Sequence, residues 1–504
     1  MSTQIPSSNL IGQRKVRLEK VKKLRELGIE PYPSDVKKGH LNINIKNNFQ
    51  KLEDKKVWVT GRIMSWRNIG KIIFANIQDD SGTIQLYIKE DSIVPTNVEN
   101  KNLGWEHLEL FDIGDFVSAY GEVTKTKTGE ISILVRKIVM ASKAIRPLPG
   151  KWHGLEDIDE RFRRRYLDMT MNPEIKKRFI RRSLFWKNTR EFLDQKGFYE
   201  INIPVLEHVT GGADAKPFVT YYDALGQNFY LRISHELPLK RLLGGGFEKV
   251  YDIGPRFRNE GIDAEHLPEH IAMEFYSAYT NFNEGVQLIQ EMFQYIVQNT
   301  FGSLKIMLNQ TEIDLSGNWP IKRYEDAMVD FYKDIDIYND PLSKLLKIYR
   351  EHGGESKDVN NRPRLVDSMW KIVRKTIQQP TFIVDVPLFF SPLAKKKDEL
   401  RVNRVFPVIA GTEMANAFAE LNDPVDQYNR FVEQQNMRDS GDDEAHMLDI
   451  DFVEMLEYGM PPAFGFGMSE RVFWIFEGVT AREGVPFPQL KNDVSEVTKK
   501  IYSL

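Results

Sequence analysis

Apolar residues first recur at helical spacing between Gln13 and Leu27, where Val16, Leu18, Val21, Leu24 and Leu27 are interleaved with seven cations. Gly28 stops this helix, and Pro31 and Pro33 prevent its continuation. Two readings fit it: a solvated helix whose apolar stripe packs on the next domain, or a basic face that tracks a phosphate backbone. From Val57 to about Ser142 the period shortens to two. Five runs (VWVTGRIMSW, KIIFANIQD, TIQLYIK, DFVSAYGEV and ISILVRKIVMA) are separated by Gly- and Asp-containing turns, which predicts five short strands. A Pro-containing, charge-dense connector, RPLPGKWHGLEDIDERFRRRYLDM, then holds a domain boundary. Asn172 caps a further helix with Pro173 at its first position, and Gly197 ends it. Beyond it apolar strands and helices alternate to the C-terminus as one large α+β unit.

This divides the chain into a basic helical leader (1–55), a barrel (56–145), a connector (146–171) and a large domain (172–504). A length of 504 residues with 41% hydrophobic positions supports several sizeable cores. Five strands with such turns suit an OB-type barrel, a common platform for single-stranded nucleic acid, although many small barrels bind none. The net charge of −3 does not mark a generally basic nucleic-acid binder. The absence of cysteine excludes a disulfide scaffold, a thiolate metal site and a cysteine nucleophile. The N-terminus lacks a signal-peptide core, and no apolar run approaches the roughly 20 residues of a membrane helix. The chain reads as soluble and cytoplasmic.

Three segments carry chemistry. KVYDIGPRFRNEG is a strand entering a polar loop, and HIAMEFYSAY is the strand returning. If the first strand runs on through the loop, Arg256, Arg258 and Glu260 share a face. On the return strand Glu274 and Tyr276 share a face, with Met273 and Phe275 opposite. The plainer reading is a salt-bridged surface hairpin. Further on, Gly465-Phe466-Gly467-Met468-Ser469-Glu470-Arg471 leads into VFWIF. Ser469 suits a helix cap, and an Arg in a first turn opposes the helix dipole, which often marks a nearby anion. By itself a surface Arg is the plainer account. Lys196-Gly197-Phe198 through Ile203-Pro204-Val205-Leu206 is a helix stop followed by a strand ending at Pro.

In this order the three segments resemble motifs 2, 3 and 1 of the class II aminoacyl-tRNA synthetases. The resemblance implies that Arg258 holds the ATP α-phosphate together with the amino-acid carboxylate. It implies that Glu260 reads the adenine amino group, that His266 approaches the nucleotide, that Arg471 lies against ATP, and that motif 1 builds a homodimer interface. The chemistry suits these types. A carboxylate must attack phosphorus, and a planar, permanently charged guanidinium can bridge both anions.

Within that family GGADAKPF, YLRISHELPLKRLLGGGFEKVYDIGPRFRNEG and NAFAELNDPVDQ look like segments of the lysine enzymes. They imply that Glu236 and the Gly212 backbone meet the lysine α-ammonium. Glu274, Tyr276 and Glu420 would line the side-chain ammonium pocket, Asn416 would assist Arg258, and Phe418 would wall the aliphatic stem. Asn416, Phe418 and Glu420 share strand parity. Three carboxylates around one ligand need compensating cations, and lysine brings two. In the barrel the resemblance assigns the middle anticodon base to Phe74 and Arg67 for stacking and to Gln85 and Glu130 for hydrogen bonds. A barrel-core Phe74 is the alternative.

Three departures stand out. Phe406 occupies the place of a usual Glu which, with Glu413, would hold Mg2+ beside ATP, leaving Glu413 and Glu420 as the candidate metal ligands. His270 stands where a Phe would stack on adenine, so ATP binding is expected to be pH-sensitive, and Leu267 replaces a usual Asn. The chain also continues beyond Phe487-Pro488 with QLKNDVSEVTKKIYSL.

The expectation is therefore a class II lysine–tRNA ligase family member: an OB barrel followed by an antiparallel-sheet α+β catalytic domain, using tRNA, lysine, ATP and Mg2+ as a homodimer. The alternatives are an aspartate- or asparagine-type synthetase, a silent RNA-binding relative, and a lysine ligase acting on protein. His266-Leu-Pro-Glu269-His270 also fits an inverted zinc-peptidase pattern, but Pro268 opposes the helix that pattern needs.

Overall fold

A computed structural model describes residues 7–149, 157–213, 215–355, 361–441 and 445–503 of the chain. Two compact units emerge, one of residues 1–171 with 490–504 and the other of residues 172–489. Residues 150–156 of the connector lie outside the described residues.

In the first unit the alternating runs form five strands, Lys56–Ile69, Ile72–Gln78, Thr83–Lys89, Phe116–Lys125 and Ile131–Ser142, closed into a barrel. Period-two alternation sends Ile73, Ala75 and Ile77 inward, at most 3% exposed, and leaves Phe74 on the outside. The core-aromatic reading of Phe74 is thereby excluded. The leader helix Ser7–Glu26 buries Val21 and Leu24, and Leu24 joins the barrel core. Arg17 donates to the carbonyls of Ala144 (2.8 Å) and Ile113 (3.1 Å), and Lys20 pairs with Asp112 at 2.8 Å. Arg17 and Lys20 are thus engaged by the fold, as is Arg14 through the contact described below, and Lys15, Lys22, Lys23 and Arg25 stay exposed.

The C-terminal stretch departs from the expected 172–504 domain. Its helix Glu496–Tyr502 belongs to the first unit, where Arg14 and Arg146 lie over the Tyr502 ring at 5.9 and 6.0 Å. Arg146 also donates to Thr498 Oγ1 (3.3 Å), and Arg163 to the Lys491 carbonyl (2.7 Å). Aromatic–guanidinium contacts of this kind need a third-dimensional neighbour that no local pattern announces.

The second unit is built on a nine-stranded sheet. Its order is Ile321–Arg323, Thr381–Pro387, Arg401–Ile409, Asn416–Ala419, Ala463–Ser469, Glu269–Ala278, Lys249–Phe257 and Tyr199–Glu200, with Thr412–Glu413 paired to Arg401–Ile409. The two outermost pairings are parallel and the rest antiparallel. Helices Pro173–Gln195 and Phe282–Phe301 bury Phe185, Leu193, Ile289 and Phe293 against Phe275, Phe464 and Phe466 of the sheet. The opposite face of the central strands is free of that core and carries the polar residues. The first motif strand ends at Phe257, so the expected run of parity to Glu260 stops there. Arg258 is instead fixed by its backbone N–H, which donates to the Pro268 carbonyl at 2.8 Å.

Candidate active site

Register explains how the site forms. Glu274 lies opposite Asp252 on one side and Gly467 on the other, and Asn416 follows Gly467. One step along, Tyr276, Gly465 and Phe418 form a parallel row. The polar face of three strands thus reads acid–Gly–amide and phenol–Gly–ring, with Phe464, Phe466 and Met468 buried behind. The glycines form a floor low enough for a ligand to lie on. A cavity of about 360 Å3 opens over it, and Glu236, Arg256, Arg258, Glu274, Asn416 and Arg471 line it among others.

Most of the expected residues meet there: Gly212, Glu236, Arg258, Glu260, His266, His270, Glu274, Tyr276, Glu413, Asn416, Phe418 and Arg471 all line this cavity. Gly212 has φ +86°, and a Cβ would approach Glu236 Cβ and Ser234 Oγ to 2.7 Å, so only glycine fits. Asn416, which lines the cavity, accepts at Oδ1 from Arg404 Nε at 2.7 Å. Arg471 starts the helix Arg471–Glu477, its N–H donating to Ser469 Oγ at 3.3 Å. Glu470, not Ser469, occupies the cap position. The Arg471 guanidinium holds the Glu413 carbonyl and pairs with Glu265 at 3.4 Å. Burial pulls the pKa of Arg471 below its usual value, and that of Arg256 to about 9. Glu260 and His266 sit on the exposed loop after Arg258, where His266 is paired to Asp263 at 2.8 Å.

Several of the expected residues already have partners within the fold. Glu274 lines the cavity, but its oxygens accept from Ser234 Oγ (2.8 Å), His235 N (3.2 Å) and Tyr276 OH (3.1 Å), so it anchors the pocket's walls. Burial, followed by Glu236, Glu274 and Glu420, pushes the Tyr276 phenol well above its ordinary pKa, so it remains a neutral donor to Glu274. Glu420 lies just past its strand, with its N–H donating to the Ala463 carbonyl at 2.9 Å, which preserves the parity of Asn416 and Phe418. Its carboxylate is fully buried and ion-paired to Lys240, a residue the sequence reading passed over. Arg404 and His446, which also line the cavity, were missed as well, whereas alternation placed Arg256 on the site face without giving it a role.

The expected metal ligands do not form a set. Glu420 is paired to Lys240, whereas Glu413 Oε1 accepts the Trp370 indole N–H at 2.7 Å and lies 3.8 Å from Arg374. Phe406 is buried with its ring 5.7 Å from that of Trp370. Among the described residues no cluster of three or more metal-ligating side chains occurs, and this donor pair does not fit a protein-held magnesium.

His270 is corrected too. Arg256 Nε donates to its Nε2 at 3.0 Å, so that nitrogen is an acceptor, and Nδ1 lies 3.1 Å from the Leu267 carbonyl, which fixes the neutral tautomer. Burial and then the Arg256 and Arg258 charges hold its pKa well below 6.5, which removes the expected pH-switch at adenine. His235 is likewise pulled down to about 3, mainly by burial. For a histidine depressed in the fold, the unfolded chain takes up a proton first, so stability is lost as pH falls below about 6.5. Below that pH, urea denaturation of His270→Phe should show a pH slope smaller by about one proton, about 1.4 kcal/mol per pH unit, than that of the wild-type chain. An unchanged slope would mean His270 is not held neutral.

The outer face of the barrel carries a second constellation. Cross-strand pairs place Arg67 beside Phe74 and Phe74 beside Tyr87. Arg67 lies over Phe74 at 5.7 Å, and the Phe74 and Tyr87 rings are parallel within 4° at 5.1 Å. Gln85 Oε1 accepts from Ser132 Oγ at 2.9 Å, and Glu130 pairs with Lys46 at 3.5 Å.

A mostly antiparallel sheet with arginines over a glycine floor, together with a five-stranded barrel, defines the class. The chain belongs to the class II tRNA synthetases (D, K and N): residues 157–491 match that family, and residues 57–141 match the OB-fold nucleic acid binding domain. It is 44% identical to the lysine–tRNA ligase of Thermotoga maritima, over 94% of this chain and 95% of the relative. To the lysine–tRNA ligases of Thermosipho africanus and Carboxydothermus hydrogenoformans it is 42% and 41% identical, over 95% of this chain and 96% and 97% of theirs. Within the class it is a member of the lysine–tRNA ligase family.

Proposed function

We infer that this chain joins lysine to tRNA at the expense of ATP. The observation that carries this is the pairing of Arg258 and Arg471 with a carboxylate-rich pocket on one sheet face, in a chain at least 41% identical to lysine–tRNA ligases over nearly its whole length. Lysine and ATP give lysyl-adenylate and diphosphate, and the activated lysine then passes to the terminal ribose of the tRNA. No enzyme nucleophile is required, because the lysine carboxylate attacks the α-phosphorus itself. The protein's work is to bring two anions together and to stabilise charge on the phosphoryl oxygens.

The family resemblance supplies the residue roles, and the shared cavity is compatible with them. Arg258 bridges the carboxylate and α-phosphate, with the Asn416 amide beside it, and Arg471 faces the remaining phosphates. Glu260 and His266 on the motif loop meet the nucleotide, with His270 a neutral wall rather than a switch. Glu236 and the Gly212 backbone accept the α-ammonium. Tyr276 and Glu420 accept the side-chain ammonium, and Phe418 flanks the methylenes. An aspartate-type pocket would need cations at the side-chain end, where Glu274 and Glu420 stand, so the aspartate and asparagine alternatives are disfavoured. Mg2+ would enter with ATP as its counter-ion, and Glu413, which lines the cavity, is the carboxylate that would lie on its side of the site.

In the barrel Phe74, with Arg67 above it, offers an exposed ring on which an anticodon base stacks, and Gln85 and Glu130 supply hydrogen-bonding groups. A homodimer is part of this reading, because Tyr199, Val219, Tyr221 and Leu225 stay 58–65% exposed near motif 1. A cytoplasmic location is part of the same reading. Among the described residues no helix is long and apolar enough to cross a membrane.

The test is amino-acid-dependent ATP–diphosphate exchange across the standard amino acids. Lysine alone should give strong exchange, and exchange with aspartate or asparagine in its place would defeat the assignment. Phe74→Ala should leave exchange within about twofold while reducing tRNA charging about 5- to 150-fold, the equivalent of one lost stack of about 1–3 kcal/mol. Equal loss in both assays would contradict the division between the units.

A further inference from the structure

The first helix of the lysine pocket, Glu236–Gly244, begins with one of the assigned ligand carboxylates and carries Lys240 one turn later on the same face. Lys240 is completely buried. Its ammonium lies 2.6 Å from Glu236 Oε1 and also pairs with Glu420 Oε2. The rings of Tyr276 and Phe418 flank it at 5.8 and 5.3 Å. One internal cation therefore ties together the two carboxylates assigned to opposite ends of the substrate, inside the aromatic pair assigned to its side chain.

We propose that Lys240 is a specificity-determining positioning residue: it cross-links Glu236 and Glu420 and fixes the charge against which the lysine ligand is read. This rests on the lysine-activating function inferred above. The charge balance supports it. The pocket holds three carboxylates, and Arg256 stands 3.5 Å from Glu274 while Lys240 neutralises one of the remaining two. One negative charge is left for the side-chain ammonium, since the ligand's α-ammonium is balanced by its own carboxylate. Lysine closes the balance, whereas a neutral side chain of the same length leaves a buried charge unpaired, which is costly. Lys240 also occupies one oxygen of each carboxylate. Glu236 Oε2 and Glu420 Oε1 are thereby set in direction for the ligand, and a Cβ at Gly465 would collide with that Glu420 oxygen.

Lys240→Met keeps the length and removes the charge. Truncating one partner of a buried charge pair predicts a lysine KM raised about 30-fold or more in ATP–diphosphate exchange, with the KM for ATP and kcat within about threefold. A lysine KM that is unchanged or lower, or parallel losses in kcat and the ATP KM, would overturn the proposal. Should Lys240→Met not fold, as judged by its thermal transition, Lys240→Ala assayed with added propylammonium or propanol decides. Rescue by the amine and not by the alcohol is expected, and equal rescue by both, or by neither, rejects a role for the charge. The wild-type chain is measured alongside, and failure of lysine to support exchange there would refute the functional assignment rather than the role of Lys240.

Discussion

Arg258→Ala is expected to lower lysine-dependent ATP–diphosphate exchange by about 10³-fold or more, the upper range for loss of a preorganised charge-stabilising donor. The residue follows a strand end, its backbone is pinned to Pro268, and its side chain lines the cavity. Adenylate formation brings a carboxylate against a phosphate, and a planar fork binds both where a point charge holds one. Arg258→Lys should therefore recover little of the loss. The half-buried position makes no contribution to the hydrophobic core, so the thermal transition should move by only a few degrees. An alanine variant within tenfold of wild type would remove Arg258 from the chemistry.

Gly465→Ala should be nearly as damaging, for a reason of shape. A Cβ there would collide with Glu420 Oε1 and come within 2.5 Å of Tyr276 Cε1, both walls of the side-chain ammonium pocket. Neither wall can retreat freely. Tyr276 is tied to Glu274 at 3.1 Å and Glu420 is held by Lys240. A displacement of about 1 Å in such a site costs on the order of 10²-fold. The loss should fall on the lysine KM, with ATP binding retained, whereas Gly467→Ala should be milder because its Cβ would meet Glu274 Cγ at 3.2 Å. Equal lysine KM values for Gly465→Ala and wild type would show that the floor is not tightly packed.

Much of this site was legible in the sequence. The switch from helical to alternating periodicity located the barrel, because strand parity is a local property of consecutive residues. Parity also put Asn416, Phe418 and Glu420 on one face and separated Glu274 and Tyr276 from Met273 and Phe275. The order of the Lys196–Leu206, Arg258 and Arg471 segments was enough to indicate the family. The left-handed Gly212 and the flat Gly465 could be named as glycines, but what stood over them could not.

Only the tertiary structure decided which polar groups were already engaged. Glu274 lies on the expected face and is already engaged within the fold, its oxygens accepting from Ser234, His235 and Tyr276. Arg256 made His270 an acceptor and so removed a pH response that an isolated imidazole would have had. Trp370 and Arg374 took Glu413, Lys240 took Glu420, and the C-terminal helix joined the first unit through Tyr502. Hydrogen-bond saturation and counter-charge are set by neighbours remote in the chain, and sequence periodicity carries no information about them. Residue type and parity are local, so the sequence determined which side chains face the ligand; the charge each one presents depends on its buried partners, and the fold decided that.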